Sequence, residues 1–357
     1  MTISLRDHAK KNGGERTLLS IIIVSYNTCE LTCACVRSIY DSEIESCFEV
    51  IVYDNASGDG SADSIASKFP DVKVIKSDTN IGFAAANNIA AEHACGDWLL
   101  LLNPDTLVLD NGISKLLGFA NASGRRAIFG GASMTPEGET DFRSCWAQPS
   151  LWGLTTQALG LSVVGKRSRI LNPDEIPDWE RDTIRNVGVI TGCFLLVNQE
   201  TWDELGGFDV DYFMYSEETD LCLRADKRGI SRIFYPDARV LHIGGASERS
   251  KPHKTIKLFL GKRIYFEKHY SSFGSRYASA VLDLHVLTRL LALGVLQWFS
   301  DSFVDVHSHW RTVWRERNSW NVTEGLFGRT VTYTLLSTGE KVYPCVVEDS
   351  LYVSASH

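Results

Sequence analysis

The apolar positions of this chain fall into strand-length runs separated by helix-length stretches. The run that organises the rest is Leu99-Leu100-Leu101-Leu102. Four consecutive leucines suit a strand buried on both faces of a parallel sheet. The run ends in Asn103-Pro104-Asp105-Thr106, so an exposed carboxylate is expected at the C-terminal edge of a central strand. In open α/β sheets that edge is where ligands bind. An acid there is a natural seat for a divalent cation.

The same alternation precedes it. The β-branched run 18–27, ending Ser25-Tyr26-Asn27, is the strongest strand signal in the chain, and a helix is expected over roughly 29–40. A second strand, 48–55, ends in Asp54-Asn55 and opens into a Gly-Asp-Gly loop at 58–60. Helix 61–69, strand 72–76 and helix 83–94 lead to the leucine run. Strands alternating with short helices predict βαβ units and an α/β fold with a mainly parallel sheet.

Beyond Asp105 the pattern loosens. A helix near 110–122 and a strand near 127–132 precede residues 135–185, which are rich in turn residues and Trp and carry no clear period, as binding loops often do. Order returns with 187–197, a long strand with a Gly break, then an acidic helix at 216–228 and a strand pair, 231–235 and 238–242. The stretch 253–270 reads as a basic-aromatic helix. Residues 277–299 are mostly apolar but contain Asp283, His285 and Arg289, which argues against a spanning helix and for one lying at an interface or packed on the domain.

Length and composition narrow the class. The 357 residues suffice for a large domain with an appendage or for two domains, and 44% hydrophobic with 22% charged residues is globular composition. A net charge of −8 sets nucleic-acid binding aside. The nine cysteines show no zinc spacing, and with no signal peptide at the start they read as reduced thiols of a cytoplasmic protein. Residues 1–17 read as a flexible tail.

Several positions carry candidate chemistry. Asp54 and Asn55, at a strand end, suit a pyrimidine ring or ribose hydroxyl, or form a plain turn. The first strand ends without glycine, which excludes a phosphate loop and a dinucleotide fingerprint. Asn80-Ile81-Gly82-Phe83-Ala84-Ala85-Ala86-Asn87-Asn88 begins a helix of small side chains, which either packs close to the sheet or turns its amides to a phosphate. Glu217, Glu218 and Asp220 follow Ser216 at a helix start, where acids complement the dipole with Ser216 as cap, or where one serves as general base. His242 closes the last strand; beside Asp105 in space it would complete a metal site.

In order, Ser25-Tyr26-Asn27, Asp54-Asn55-Ala56-Ser57, Asn80-x-Gly82-Phe83-x-x-x-Asn87, Asn103-Pro104-Asp105, Thr191-Gly192, Gly206-Gly207-Phe208-Asp209, Glu217-Glu218-x-Asp220 and His242-x-Gly244-Gly245 form a series. It resembles the family 2 glycosyltransferases, and among them bacterial rhamnosyltransferase-like members, over residues 18–250. Each motif is short; eight in the right order make the match specific.

The resemblance implies a GT-A fold, with a nucleotide-binding half at 18–108, an acceptor half at 109–250 and a helical C-terminal region at 251–357. It implies a nucleotide-sugar donor, TDP- or UDP-linked, and inversion at the anomeric carbon. Ser25, Tyr26, Asn27, Asp54, Asn55, Asn80, Gly82, Phe83, Asn87 and Asn103 would bind the donor. Asp105, with His242, would hold Mg2+ or Mn2+ on the diphosphate, and Asn103 replaces the family's first metal-site acid. Glu218 occupies the place of the family's usual catalytic Asp, with Glu217 and Asp220 beside it. The acceptor would be a glycan, free or carried on a polyprenyl diphosphate, in cell-surface polysaccharide synthesis at the inner face of the plasma membrane. Two rival classes stand beside this reading: a sugar nucleotidyltransferase, which would want a basic glycine loop after the first strand, and a non-catalytic glycan-binding scaffold.

Overall fold

The computed structural model describes residues 18–244 and 251–320. The expected N-terminal tail, Gly245 of the last motif and everything beyond Trp320 lie outside those residues. The first half follows the sequence pattern: β1 (Leu19–Ser25), α1 (Cys29–Tyr40), β2 (Phe48–Asp54), α2 (Ser61–Lys68), β3 (Lys73–Lys76), α3 (Phe83–Glu92) and β4 (Trp98–Leu102). These four strands are mutually parallel in the order β3-β2-β1-β4.

The leucine run is buried on both faces as expected. Leu99 and Leu101 join one core layer with Ile22 and Val24; Leu100 and Leu102 join the opposite layer with Ile21 and Ile23. This two-residue alternation is the pleat of a central strand. Both layers are dry: Leu99, Leu100 and Leu101 are fully buried.

The second half turns the sheet into a mixed one at its far side. It continues with β5 (Thr106–Leu109), α4 (Gly112–Ser123), β6 (Ala127–Met134), β7 (Cys145–Trp146), α5 (Leu151–Ala158), α6 (Leu161–Val164), β8 (Arg185–Asn186), β9 (Val189–Ile190) and β10 (Phe194–Asn198). The stretch without period thus contains two helices. The single strand expected over 187–197 is divided. It breaks at Thr191-Gly192-Cys193, so that β9 pairs with β7 in a separate ribbon while β10 runs antiparallel between β4 and β6.

Helices α7 (Gln199–Leu205) and α8 (Glu217–Lys227) lead to β11 (Ser231–His242). The two strands expected at 231–235 and 238–242 are one, parallel to β6, with a register shift between Tyr235 and Arg239. Beyond the shift β11 takes β5 as antiparallel neighbour and pairs His242 with Thr106. That pairing brings His242 to the residue following Asp105.

The chain then forms α9 (Lys251–His269), α10 (Ser272–Leu296), α11 (Val304–Arg315) and α12 (Arg317–Trp320). Leu154 and Ala158 of α5 pack with Ile256, Phe259, Tyr265, Phe266, Leu282 and Val313 in a third core. The eight cysteines among the described residues are free thiols, and Cys33 and Cys35 are buried on α1 as small apolar residues.

Candidate active site

The strand ends Ser25, Asp54 and Leu102 share one sheet edge, and the connections leaving them are tied by side-chain bonds to backbone. Asn27, at a positive φ of 53°, accepts from Gly58 N–H at 2.8 Å through Oδ1 and donates its own N–H to Ser57 Oγ at 2.9 Å. Asn55 bridges to the next turn: its Nδ2 donates to Asn80 Oδ1 (2.9 Å) and Gly82 O (3.2 Å), and its Oδ1 accepts from Ile81 N–H (2.9 Å). Gly82 has φ +86°, and a Cβ there would stand 2.5 Å from Phe213 O, so only glycine fits. The Phe83 N–H donates to that same carbonyl at 2.7 Å, so this first amide of α3 is engaged within the protein.

These turns wall a cleft. Tyr26, Asn55, Asn80, Gly82, Phe83, Asn103, Asp105 and His242, all marked in the sequence, line it. Phe213, Met214 and Tyr215 close one side, and Lys254 and Lys257 of α9 reach it from the C-terminal helices. In the sequence those lysines stand out only as charges of a basic helix, with an i, i+3 spacing a dozen residues after His242 as the one local signal.

Other marked residues lie outside the cleft wall. Ser25 is fully buried and bonds Thr28 Oγ1 (3.2 Å) and Thr32 Oγ1 (3.0 Å). Asn87 is buried mid-helix and donates to Phe83 O at 2.9 Å. Asp54 is 3% exposed; one oxygen accepts from Ser57 N–H at 2.9 Å, and the other is buried with no partner among the described residues.

Asp105, expected exposed, is 8% exposed because His242 and the β5–β11 pairing cover it. His242 Nε2 lies 3.4 Å from Asp105 Oδ1. Burial pushes the carboxyl up. The hydrogen bond and charge of His242, with the N–H groups of Asp105 and Gly244, outweigh it and hold the carboxyl below its ordinary value. Asn103 Oδ1 is buried in the cleft floor with no partner among the described residues. Among those residues no three His, Cys, Asp or Glu side chains converge as a closed metal site. An anionic carboxylate, one imidazole and an amide oxygen are a donor set suited to a divalent cation that takes its remaining ligands from a substrate diphosphate.

The acidic helix start is built differently from a capped one. Tyr215 and Ser216 both have left-handed φ, 72° and 73°, and Ser216 makes no side-chain cap bond, which corrects its expected role. Gly261 of α9 permits this turn, since a Cβ there would sit 2.5 Å from Tyr215 O. Glu217 is 4% exposed and its Oε2 has no partner among the described residues. Burial, then the Glu218 carboxylate, pushes its carboxyl well above the ordinary value. Burial also raises the half-buried Glu218, to about 7, while a hydrogen bond from Glu217 favours its anion. The two carboxyls therefore titrate as a coupled pair, both raised by burial. A methyl at Gly192 would stand 3.7 Å from Glu218 Cβ and 3.8 Å from the Phe83 ring, so both residues lie near this glycine, although Glu218 itself is not among the residues that line the cleft.

Asp220 does not face the cleft. It is 1% exposed and accepts from Arg224 Nε (2.6 Å) while pairing with His269 Nε2 (2.6 Å). Burial opposes its ionisation, and these two partners together lower its pKa below the ordinary value. Arg224 also donates to Leu205 O (2.5 Å) and Gly207 O (2.9 Å). Asn88 holds the same loop by bonds to both backbone groups of Phe208. The i, i+4 spacing of Asp220 and Arg224 was legible, but their long-range partners were not.

A mixed α/β sheet with an Asp–His pair in a cleft at the C-terminal edge of its parallel strands has the architecture of a GT-A glycosyltransferase. The family model "Glycosyl transferase family 2" matches residues 20–169. A Mycobacterium tuberculosis N-acetylglucosaminyl-diphospho-decaprenol L-rhamnosyltransferase is 30% identical over 239 residues, covering 60% of this chain and 75% of that protein. The rhamnosyltransferase WbbL of Escherichia coli K12 is 24% identical over 212 residues, covering 54% of this chain and 76% of its own. Among solved structures, the mannosyltransferase PcManGT from Pyrobaculum calidifontis, in complex with GDP-Man and Mn2+, superposes with a TM-score of 0.52 at 16% identity, over 88% of this chain and 93% of that one. The chain belongs to glycosyltransferase family 2.

Proposed function

We propose that this glycosyltransferase moves a sugar, rhamnose by analogy with its relatives, from a TDP- or UDP-linked donor to a hydroxyl of a lipid-linked glycan, with inversion. The observation that carries the reading is the cleft itself, lined by Asp105, His242, Asn103 and Phe83; Glu218 is not in that lining but lies near Gly192, as Phe83 does. The strand-end turns of residues 18–108 form the nucleotide side, and residues 109–250 the acceptor side. Asp105 and His242 would hold Mg2+ or Mn2+, with Asn103 the nearest neutral oxygen. When bound, the ion neutralises charge on the departing nucleoside diphosphate.

The residues of the chain do the rest. Lys254 and Lys257 add positive charge beside the leaving group. Glu218 accepts the proton of the acceptor hydroxyl as that oxygen bonds to C1 and the C1–O bond to the diphosphate breaks. Glu217, its own carboxyl raised by burial, favours the anion of its neighbour through the hydrogen bond between them. Asp220 acts through Arg224 and His269 as a positioning residue for the loop at 206–208. The decaprenol-linked substrate in the name of the mycobacterial relative supports a polyprenyl-diphosphate acceptor, hence work on the cytoplasmic side at a membrane surface.

The test is Glu218→Gln. Transfer should fall about 10³-fold, the usual weight of a general base, while nucleotide binding is kept. Near-normal turnover would falsify the assignment.

A further inference from the structure

Helix α10 reverses the usual polarity of a helix packed on a domain. Its inner face lies in the third core through Ala278, Val281, Leu282 and Val286. Its polar residues also turn inward. Arg289 donates to Ala158 O and Gln157 O at 2.6 Å each, His285 packs on Phe259 and Trp310, and Asp283 faces Arg263. The outer face, normally polar, is apolar: Tyr277, Leu284, Leu287, Leu291 and Val295 are exposed at three-, four- or seven-residue spacing, and Trp298 follows just past the helix end. Leu291 is 72% exposed, Val295 60% and Trp298 86%.

The stripe extends beyond its own helix. Phe273, 80% exposed, stands at one end and Phe299 at the other. The exposed Val163 and Val164 of α6 follow α5, whose last carbonyls Arg289 holds. Arg276 is exposed on α10 beside Tyr277, Lys166 and Arg167 are exposed just after α6, and the exposed Asp301 and Asp305 lie past the end of α10.

We propose that this stripe is a docking face for an anionic phospholipid bilayer, on which α10 lies in the interfacial plane. The inference deepens the membrane-surface reading above and rests on it. By length and composition α10 is long enough and apolar enough to cross a membrane. Crossing would tear its inner face from α5 and α9 and carry Asp283, His285 and Arg289 into hydrocarbon. Lying flat leaves all those contacts in place. A stripe about 37 Å long, uncharged along its outer row, with Trp, Tyr and Phe and a cationic rim, is the composition that partitions into headgroups. Stripe-on-stripe pairing with a second copy would gather like cations around one seam. Because α9 carries Lys254 and Lys257 at the cleft and packs on α10, docking fixes the cleft's orientation to the membrane that carries the acceptor.

The test floats the full chain on vesicles of phosphatidylglycerol and phosphatidylethanolamine, and on phosphatidylcholine alone. Wild type should float with the anionic vesicles, and Leu287→Glu/Leu291→Glu should partition at least tenfold less while binding UDP or TDP as wild type does. Brominated lipid should quench a fluorescence component that Trp298→Phe removes; this second reading decides if the double variant fails to bind nucleotide. Wild type remaining unfloated, the double variant floating equally, or a lipid-free dimer split by the double variant would each overturn the proposal. Nucleotide binding without vesicles is read separately, so failure of docking and failure of the transferase reading are distinguishable.

Discussion

The strand-end turns around β1, β2 and β4 and the C-terminal helices use polar residues in opposite ways. At the turns, Asn27, Asn55 and Asn80 knit backbone to backbone and leave open a cleft whose mainly apolar wall carries a few polar groups. In the helices, Arg263, Asp283, His285 and Arg289 serve inside as struts, and leucines face outward. A concavity with a few convergent polar groups calls for a small molecule and an apolar convexity for a broad apolar partner. The acidic start of α8 sits where the two regions meet, held from α9 by Gly261 and His269.

Breaking that junction should cost most. Asp220→Ala strands Arg224 and His269 beside a buried site. Unfolding stability measured in urea should drop by about 3 kcal/mol, the low end for a broken buried pair. Asp220 has its pKa lowered by folding, so its contribution is complete above the unfolded carboxyl pKa and is lost as pH falls through the lower folded value. Wild type should therefore lose part of its excess stability over the variant in acid.

Two glycines on the turn side sharpen the contrast. Gly82→Ala forces a side chain into a left-handed φ and against Phe213 O, and should cost about 2 kcal/mol. Gly192→Ala adds a methyl at ordinary contact distance from Glu218 and Phe83. Its stability should stay within about 0.5 kcal/mol, with an effect of only a few-fold on acceptor KM. Equal destabilisation by both would contradict the cleft geometry.

A pH profile addresses the junction's chemistry. Glu218 is raised to about 7 by burial, so kcat/KM should climb about tenfold per pH unit below that value and level above it. The two raised glutamates act on stability in the opposite sense to Asp220: the native state holds their protons, so it loses stability as pH rises from the unfolded value through the raised one. Glu217→Gln should shift the rate profile without abolishing turnover, because it removes a neighbour and leaves the base.

The parallel half of the fold was legible because its signal is local. β-Branched runs, the leucine strand and Asp or Asn at strand ends all lie within a few residues of each other. The eight ordered motifs carried the family as well. What the sequence hid is long-range. Antiparallel insertion of β10 between β4 and β6, and the pairing of His242 with Thr106, depend on contacts across about a hundred residues and more. Asp54, Asn87 and Asp220 looked like ligand groups, and their burial could be learned only from the neighbours that cover them. Lys254 and Lys257 were visible as charges but not as cleft residues, since only the packing of α9 decides where they point.

The central claim is that the Asp105–His242 end of the cleft binds a nucleoside diphosphate with a divalent ion. Calorimetric titration of UDP, TDP and GDP into wild type and Asp105→Asn, each with and without Mn2+, tests it directly. Wild type should bind one nucleotide in a Mn2+-dependent way, and the variant should bind it at least tenfold more weakly. Binding that ignores both Mn2+ and the substitution, or no binding of any of the three, would contradict it.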